Sequence, residues 1–160
     1  MTPSRKIAAA LDENTRAFTP PCSIAIDDGP VRLTLEIAAL DSVGVALDAL
    51  EYRDAERKEW TAEDLNAWGD RLRDRLTYLM EPVHVLEVDG GAGEVLLRSK
   101  TPSRRGEARN YYEIRLRRDG SCRVERFAFD DVERRRGRVP CQLTREVLER
   151  LADDLAASTR

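Results

Sequence analysis

Histidine, lysine, cysteine and aromatic side chains are all scarce in this 160-residue chain: there is one His, three Cys, 6% aromatic residues, and only Lys6, Lys58 and Lys100 among 27 basic residues. Each scarcity excludes something. The cysteines, at 22, 122 and 141, are odd in number and lack CxxC spacing, which argues against a disulfide framework and against a paired zinc motif. A site drawn from Cys22, Cys122, Cys141 and His84 would have suitable ligand types but no supporting spacing, so no metal is expected. His84 lies in the apolar run Val83–Leu86, where a hydrogen-bonded structural role outweighs a general base. Gly90, Gly91 and Gly93 do not form a GxGxxG pattern, and no acyl-transfer motif is present. The doublets Asp27/Asp28, Asp130/Asp131 and Asp153/Asp154 are sequence neighbours, whose side chains diverge on a strand or helix. With neither catalytic nor cofactor motif, the chain reads as non-enzymatic and cofactor-free. No stretch approaches the ~18 apolar residues of a membrane span, and the opening MTPSRKIAAALDENTR has no signal-type core. A cytoplasmic protein without membrane contact is expected.

What the chain does have is charge. Asp, Glu, Lys and Arg make up 36% of it, with 27 basic against 30 acidic residues and a net charge of −3. Leu, Ile, Val and Phe number 37 of 160, above the ~20% below which disorder is the default. The length suits one domain, 1–160, at the usual ~100–150 residues. Arginine in place of lysine fits a GC-rich coding sequence. It also suits bidentate recognition of phosphate or carboxylate, but its spread over the whole chain favours neither. The charge is lopsided: residues 1–97 carry −9, residues 98–160 carry +6, and the segment 98–138 alone carries +7. Such asymmetry means nucleic-acid contact, or two halves that attract one another within a monomer or across a dimer.

Periodicity predicts a helix over 4–18, capped by Ser4 with Ile7, Leu11 and Phe18 on one face and stopped at Pro20–Pro21. Alternating residues Cys22, Ile24, Ile26 and Val31 to Ile37 predict two strands joined by the turn Asp27–Pro30. Residues 40–53 fit both strand and helix periods, and Gly44 tips the reading towards a third strand. A helix is predicted over 62–80, with Thr61 as N-cap, Asp64 completing a capping box, Trp60 and Leu65 as hydrophobic staple, and Trp68 on its apolar face. Four strands are predicted at 83–89, 94–100, 109–118 and 121–129, with 101–106 as a connecting loop and 130–142 as another. A last helix, 145–157, is capped by Thr144. The sum is an α+β fold: an antiparallel β-sheet of two hairpin-rich segments with about three helices packed on it.

The hairpin 109–129 can be registered from its turn. Gly120 in the left-handed position of a three-residue loop sets Arg117 opposite Ser121, Leu116 opposite Cys122 and Ile114 opposite Val124. The other face then has Arg115 opposite Arg123 and Glu113 opposite Glu125, with the diagonals Glu113–Arg123 and Arg115–Glu125 available to offset the repulsion. A solvated charge ladder is the plain interpretation, and an anion or partner site at Arg115, Arg117 and Arg123 the functional one. Arg104 and Arg105 in one loop, and Arg134, Arg135 and Arg136 in another, add to the positive field, with Tyr111 the aromatic expected among them. The order of elements resembles that of small bacterial secretion chaperones and related adaptors, without a shared motif. It implies an adaptor whose partner is another protein or a second copy of the chain. A nucleic-acid- or anion-binding module using 98–138 is the alternative.

Overall fold

The computed structural model describes residues 2–14, 19, 21–57 and 59–159, with the side chains of 13 and 14 excepted; Phe18 and Pro20 lie outside the described residues. Three helices and ten strands follow in the order α1 (Pro3–Asn14), β1 (Cys22–Asp28), β2 (Val31–Leu40), β3 (Gly44–Asp54), α2 (Ala62–Arg75), β4 (Val83–Asp89), β5 (Glu94–Ser99), β6 (Ser103–Arg105), β7 (Ala108–Arg117), β8 (Ser121–Asp130), β9 (Arg135–Val139), β10 (Cys141–Thr144) and α3 (Arg145–Ser158). The fold is α+β, as the hairpin-rich pattern predicts. All strands join one antiparallel sheet in the order β1-β2-β3-β8-β7-β5-β4, with β10 beside β3, β6 beside β7 and β9 beside β8. No helix among the described residues is long and apolar enough to cross a membrane.

Strand alternation sends Leu33, Leu35 and Ile37 of β2, Val95 and Leu97 of β5, and Ile114 and Leu116 of β7 to one face. There they join Ile7 and Leu11 of α1, Leu65, Trp68 and Leu72 of α2, and Leu148, Leu151 and Leu155 of α3 in one buried cluster. Trp68 is at its centre: its ring stacks on Trp60 at 4.7 Å, meets Tyr52 edge-on at 6.4 Å, and donates its indole N–H to Ser158 Oγ at 2.8 Å.

Local signals account for most boundaries. Thr61 Oγ1 accepts from the Asp64 N–H at 3.1 Å while Asp64 Oδ2 accepts from the Thr61 N–H at 3.0 Å, the capping box written in the sequence. Four expectations need correction. Helix α1 starts at Pro3, so Ser4 lies inside its first turn and gives its N–H to Asp153. Helix α2 stops at Arg75, because Leu76 leaves helical geometry and the turn that follows carries Leu76, Leu79 and Glu81 into the interior. The expected loop 101–106 contains β6. The expected loop 130–142 contains β9 and β10, which are hard to see because β9 is a solvent-side strand whose arginines give no apolar alternation.

Gly120, at φ +83°, closes the β7–β8 turn in the left-handed region, where an added Cβ would lie about 3.0 Å from the Arg57 carbonyl oxygen and Trp60 Nε1. Gly120→Ala is therefore expected to cost about 1–3 kcal/mol in a urea titration, the range for a strained backbone, and a loss below that range would show the turn to be adaptable.

Candidate interaction surface

The three helices pack on the core face of the sheet. On the opposite face no helix covers the described residues, and charged side chains meet one another instead. Its centre is the β7–β8 hairpin, whose register follows from Gly120: Leu116 pairs with Cys122, Ile114 with Val124, Arg115 with Arg123 and Glu113 with Glu125. The like-charged pairs are relieved, but not along the expected diagonals, which make no contact among the described residues. Flanking strands supply the counter-charges directly alongside, since Arg98 is the cross-strand partner of Glu113, Glu94 of Arg117 and Glu51 of Arg123. Arg115, directly opposed on β5 by Leu96, turns to the neighbouring Glu94 instead.

The result is a lattice of two neighbouring ion-pair networks, one around Arg123 and Glu125 and one around Glu113 and Glu94. Arg123 reaches Glu36 at 2.9 Å, Glu51 at 3.2 Å and Glu125 at 3.4 Å. Arg115 and Arg117 both approach Glu94, at 3.6 and 3.4 Å. Glu113, 1% exposed, accepts at Oε1 from Arg98 at 2.7 Å and from Arg136 at 2.6 Å, with Arg115 3.6 Å from its Oε2. Glu125 is bonded by Arg138 at 3.1 Å.

Beside the lattice runs a strip of rings. Tyr111 sits among arginines, as its position in the strand predicts, and stacks on its cross-strand partner Phe127 at 6.1 Å. Arg98 lies over Tyr111 at 5.2 Å, Arg136 over Phe127 at 4.1 Å, and Arg109 and Arg134 over Phe129 at 5.1 and 5.4 Å. The remaining expected site residues are dispersed. Arg104 pairs with Asp131 at 3.1 Å, Arg135 approaches Glu133 at 4.0 Å, and Arg105 lines a cavity of about 200 Å³ with Ser103, Asn110, Tyr112 and Arg126. Arg115, Arg117 and Arg123 share the centre of the face and Arg136 and Tyr111 its aromatic strip, so the nine residues do not converge on one concave site.

Sequence reading missed the buried pair Glu81–Arg126. The guanidinium and carboxylate meet in a fork, Nη1 to Oε1 and Nη2 to Oε2 each at 2.9 Å, and the Ser99 and Ser103 hydroxyls add bonds of 2.9 and 2.6 Å to the same carboxylate. Burial pushes the Glu81 carboxyl up, but the bonds from Arg126, Ser103 and Ser99 outweigh it and hold the group below its ordinary value. Arg126 also lies 4.3 Å over the Tyr112 ring, whose phenol burial pushes up to about 12. One signal was present in the sequence: Arg126 falls in phase with Val124 and Cys122, a charge on the apolar side of the strand.

The lopsided charge now has an intramolecular account. Arg123 meets Glu36 and Glu51, Arg115 and Arg117 meet Glu94, Arg126 meets Glu81, and Arg145 meets Asp12 at 2.7 Å, so the basic half is neutralised by the acidic half of the same chain. Cys122 and Cys141 are buried, burial pushing both thiols up, and no cluster among the described residues is placed to hold a metal ion. Comparison with protein-family models, curated proteins and solved structures found no match.

Proposed function

We propose that this chain is a non-enzymatic adaptor, chaperone-like in holding a partner protein, and that the partner lies on the helix-free face of the sheet. The observation that carries the proposal is the strip Tyr111–Phe127–Phe129 with its stacked arginines. Aromatic residues and arginine are the side chains enriched at protein–protein interface cores. Guanidinium groups already held against rings and carboxylates have little freedom left to lose on association, where each immobilised long side chain otherwise costs about 0.5–1.5 kcal/mol. The cytosol, which keeps Cys22, Cys122 and Cys141 as thiols, is the compartment this reading implies.

A photo-reactive benzoylphenylalanine at Phe129 is expected to trap a discrete partner protein in cells of the source organism, and the adduct should vanish when Arg134→Glu is added. The same probe at the exposed Asp74 of α2, on the helical side, should trap none. Equal adducts from both positions, or none from Phe129, would count against the proposal.

The same strip favours one second reading, single-stranded nucleic acid, because bases stack on aromatic rings beside arginines. Each phosphate neutralised contributes a slope of about −0.7 to −0.9 to the salt dependence, so replacing Arg115, Arg117 and Arg123 with Gln would flatten it by about two or three units. With those arginines already paired to Glu36, Glu51, Glu94 and Glu125, no binding of an oligonucleotide is expected at micromolar protein and about 150 mM salt. Micromolar binding that weakens in the triple variant would move the assignment to nucleic acid.

A further inference from the structure

The strand path of the sheet runs from β1 to β4, and these two end strands differ in character. On β4 the register with β5 breaks between Val85 and Glu87, and Glu87 and Asp89 stand exposed, so this edge is bent and charged. Those are the devices by which sheet proteins discourage edge-to-edge pairing. On β1 the pairing with β2 runs unbroken from Cys22↔Ile37 to Asp28↔Val31, and the stretch 22–26 contains no proline, lysine or other charge.

The hydrogen-bond phase of that edge follows from the turn. Asp28 and Val31 flank the two-residue turn Gly29–Pro30 and so exchange bonds with each other, and alternation along an antiparallel pair then points the N–H and C=O groups of Ser23, Ala25 and Asp27 at the open side. Among the described residues, only the Asp27 carbonyl has a partner there, Lys6 Nζ at 2.8 Å, which leaves that oxygen a second lone pair.

We propose that β1 pairs with β1 of a second copy of this chain, antiparallel and centred on Ala25, merging two sheets across a two-fold axis. The strand is self-complementary in that register. Ala25 faces Ala25 and exchanges both backbone bonds; Ser23 faces Asp27, hydroxyl to carboxylate; Ile24 faces Ile26; and Cys22 faces Asp28, which stays paired to Lys6 at 3.1 Å. No aspartate faces an aspartate, and half-buried Ile24 gains an apolar neighbour on the core side of both sheets. The contact is isologous, so it closes at two copies and does not propagate. It is separate from the aromatic strip, and its test is independent of the adaptor proposal.

Light scattering on a sizing column should give twice the chain mass of 18.1 kDa at tens of micromolar protein. Ala25→Pro should return it to one chain with an unchanged melting profile, because the donor it removes faces outwards and proline is tolerated on an edge strand. In a Cys22→Ser background, Ala25→Cys should form an inter-chain disulfide under mild oxidation, since opposed residues lie within the ~4.4–6.8 Å Cα range of such bonds. Ser23→Cys should not, its two copies being roughly 13 Å apart along the strand at ~3.4 Å per residue. A single-chain mass for the unaltered protein at every concentration, a dimer that survives Ala25→Pro, or equal cross-linking at both positions would overturn the proposal.

Discussion

Trp68→Ala is expected to cost about 3–5 kcal/mol, the range for large aromatic truncations in well-packed cores. The substitution would remove the ring that stacks on Trp60, meets Tyr52 and bonds Ser158, and so would disconnect β3, α2 and the end of α3 at one stroke. Ser158 is fully buried, and its hydroxyl would keep only the bond it donates to the Leu155 carbonyl. Set against a total stability of ~5–15 kcal/mol, a loss of that size leaves a large unfolded fraction at mild denaturant concentrations. Trp68→Phe, which retains a stacking ring, should lie between the alanine variant and the parent. A urea titration showing less than about 1 kcal/mol for the alanine variant would mean that the helix face is not in the core.

Arg126→Met is expected to be comparably severe, at about 3–5 kcal/mol, because it strands the Glu81 carboxylate in the interior with only the Ser99 and Ser103 hydroxyls for company. The paired replacement Glu81→Leu/Arg126→Met should be far milder, since it removes both desolvated charges together. Acid supplies an orthogonal measurement. The folded Glu81 carboxyl lies below its unfolded value, so its contribution is complete above the ordinary glutamate value of about 4.3 and fades as pH falls through the lower folded one. In Glu81→Gln the stability curve should accordingly be flatter below about pH 4. An Arg126→Met protein as stable as its parent, or an unchanged acid limb in Glu81→Gln, would show that this pair does not hold the sheet to the connection between α2 and β4.

What could be foreseen in the sequence was what short range decides. The Thr61–Asp64 box, the Thr144 cap and the Gly120 turn each depend on residues within a few positions, and parity along β7 was enough to place Tyr111 with the arginines and Tyr112 in the core. The partners of those arginines come from β2, β3 and β5, and which strands flank a hairpin is a property of sheet order that no local pattern encodes. Strand β9 escaped notice for a related reason: its Arg136 and Arg138 are satisfied by Glu113 and Glu125 across the sheet rather than by an apolar face of its own. The Glu81–Arg126 pair spans 45 positions and needed the whole fold to bring it together.

The placement of β3 in the sheet has a consequence in time. On one side β3 pairs with β2, made just before it; on the other it pairs with β8 and β10, whose residues begin at Ser121 and Cys141. A ribosome adding ~5–20 residues per second leaves that second side of β3 bare for seconds, the interval in which nascent strands from neighbouring polysomes can pair with it. Through that interval the chain made so far stays acidic, at net −9 for residues 1–97 and still −4 for residues 1–120, and like-charged nascent chains repel. The counter-charge for β3 itself comes with the strand that closes the gap: Arg123 arrives on β8 and reaches Glu36 and Glu51 as β8 docks on β3. The uneven distribution of charge along the polypeptide is thus also a schedule, keeping nascent chains apart until the strand that completes β3 brings the counter-charge with it.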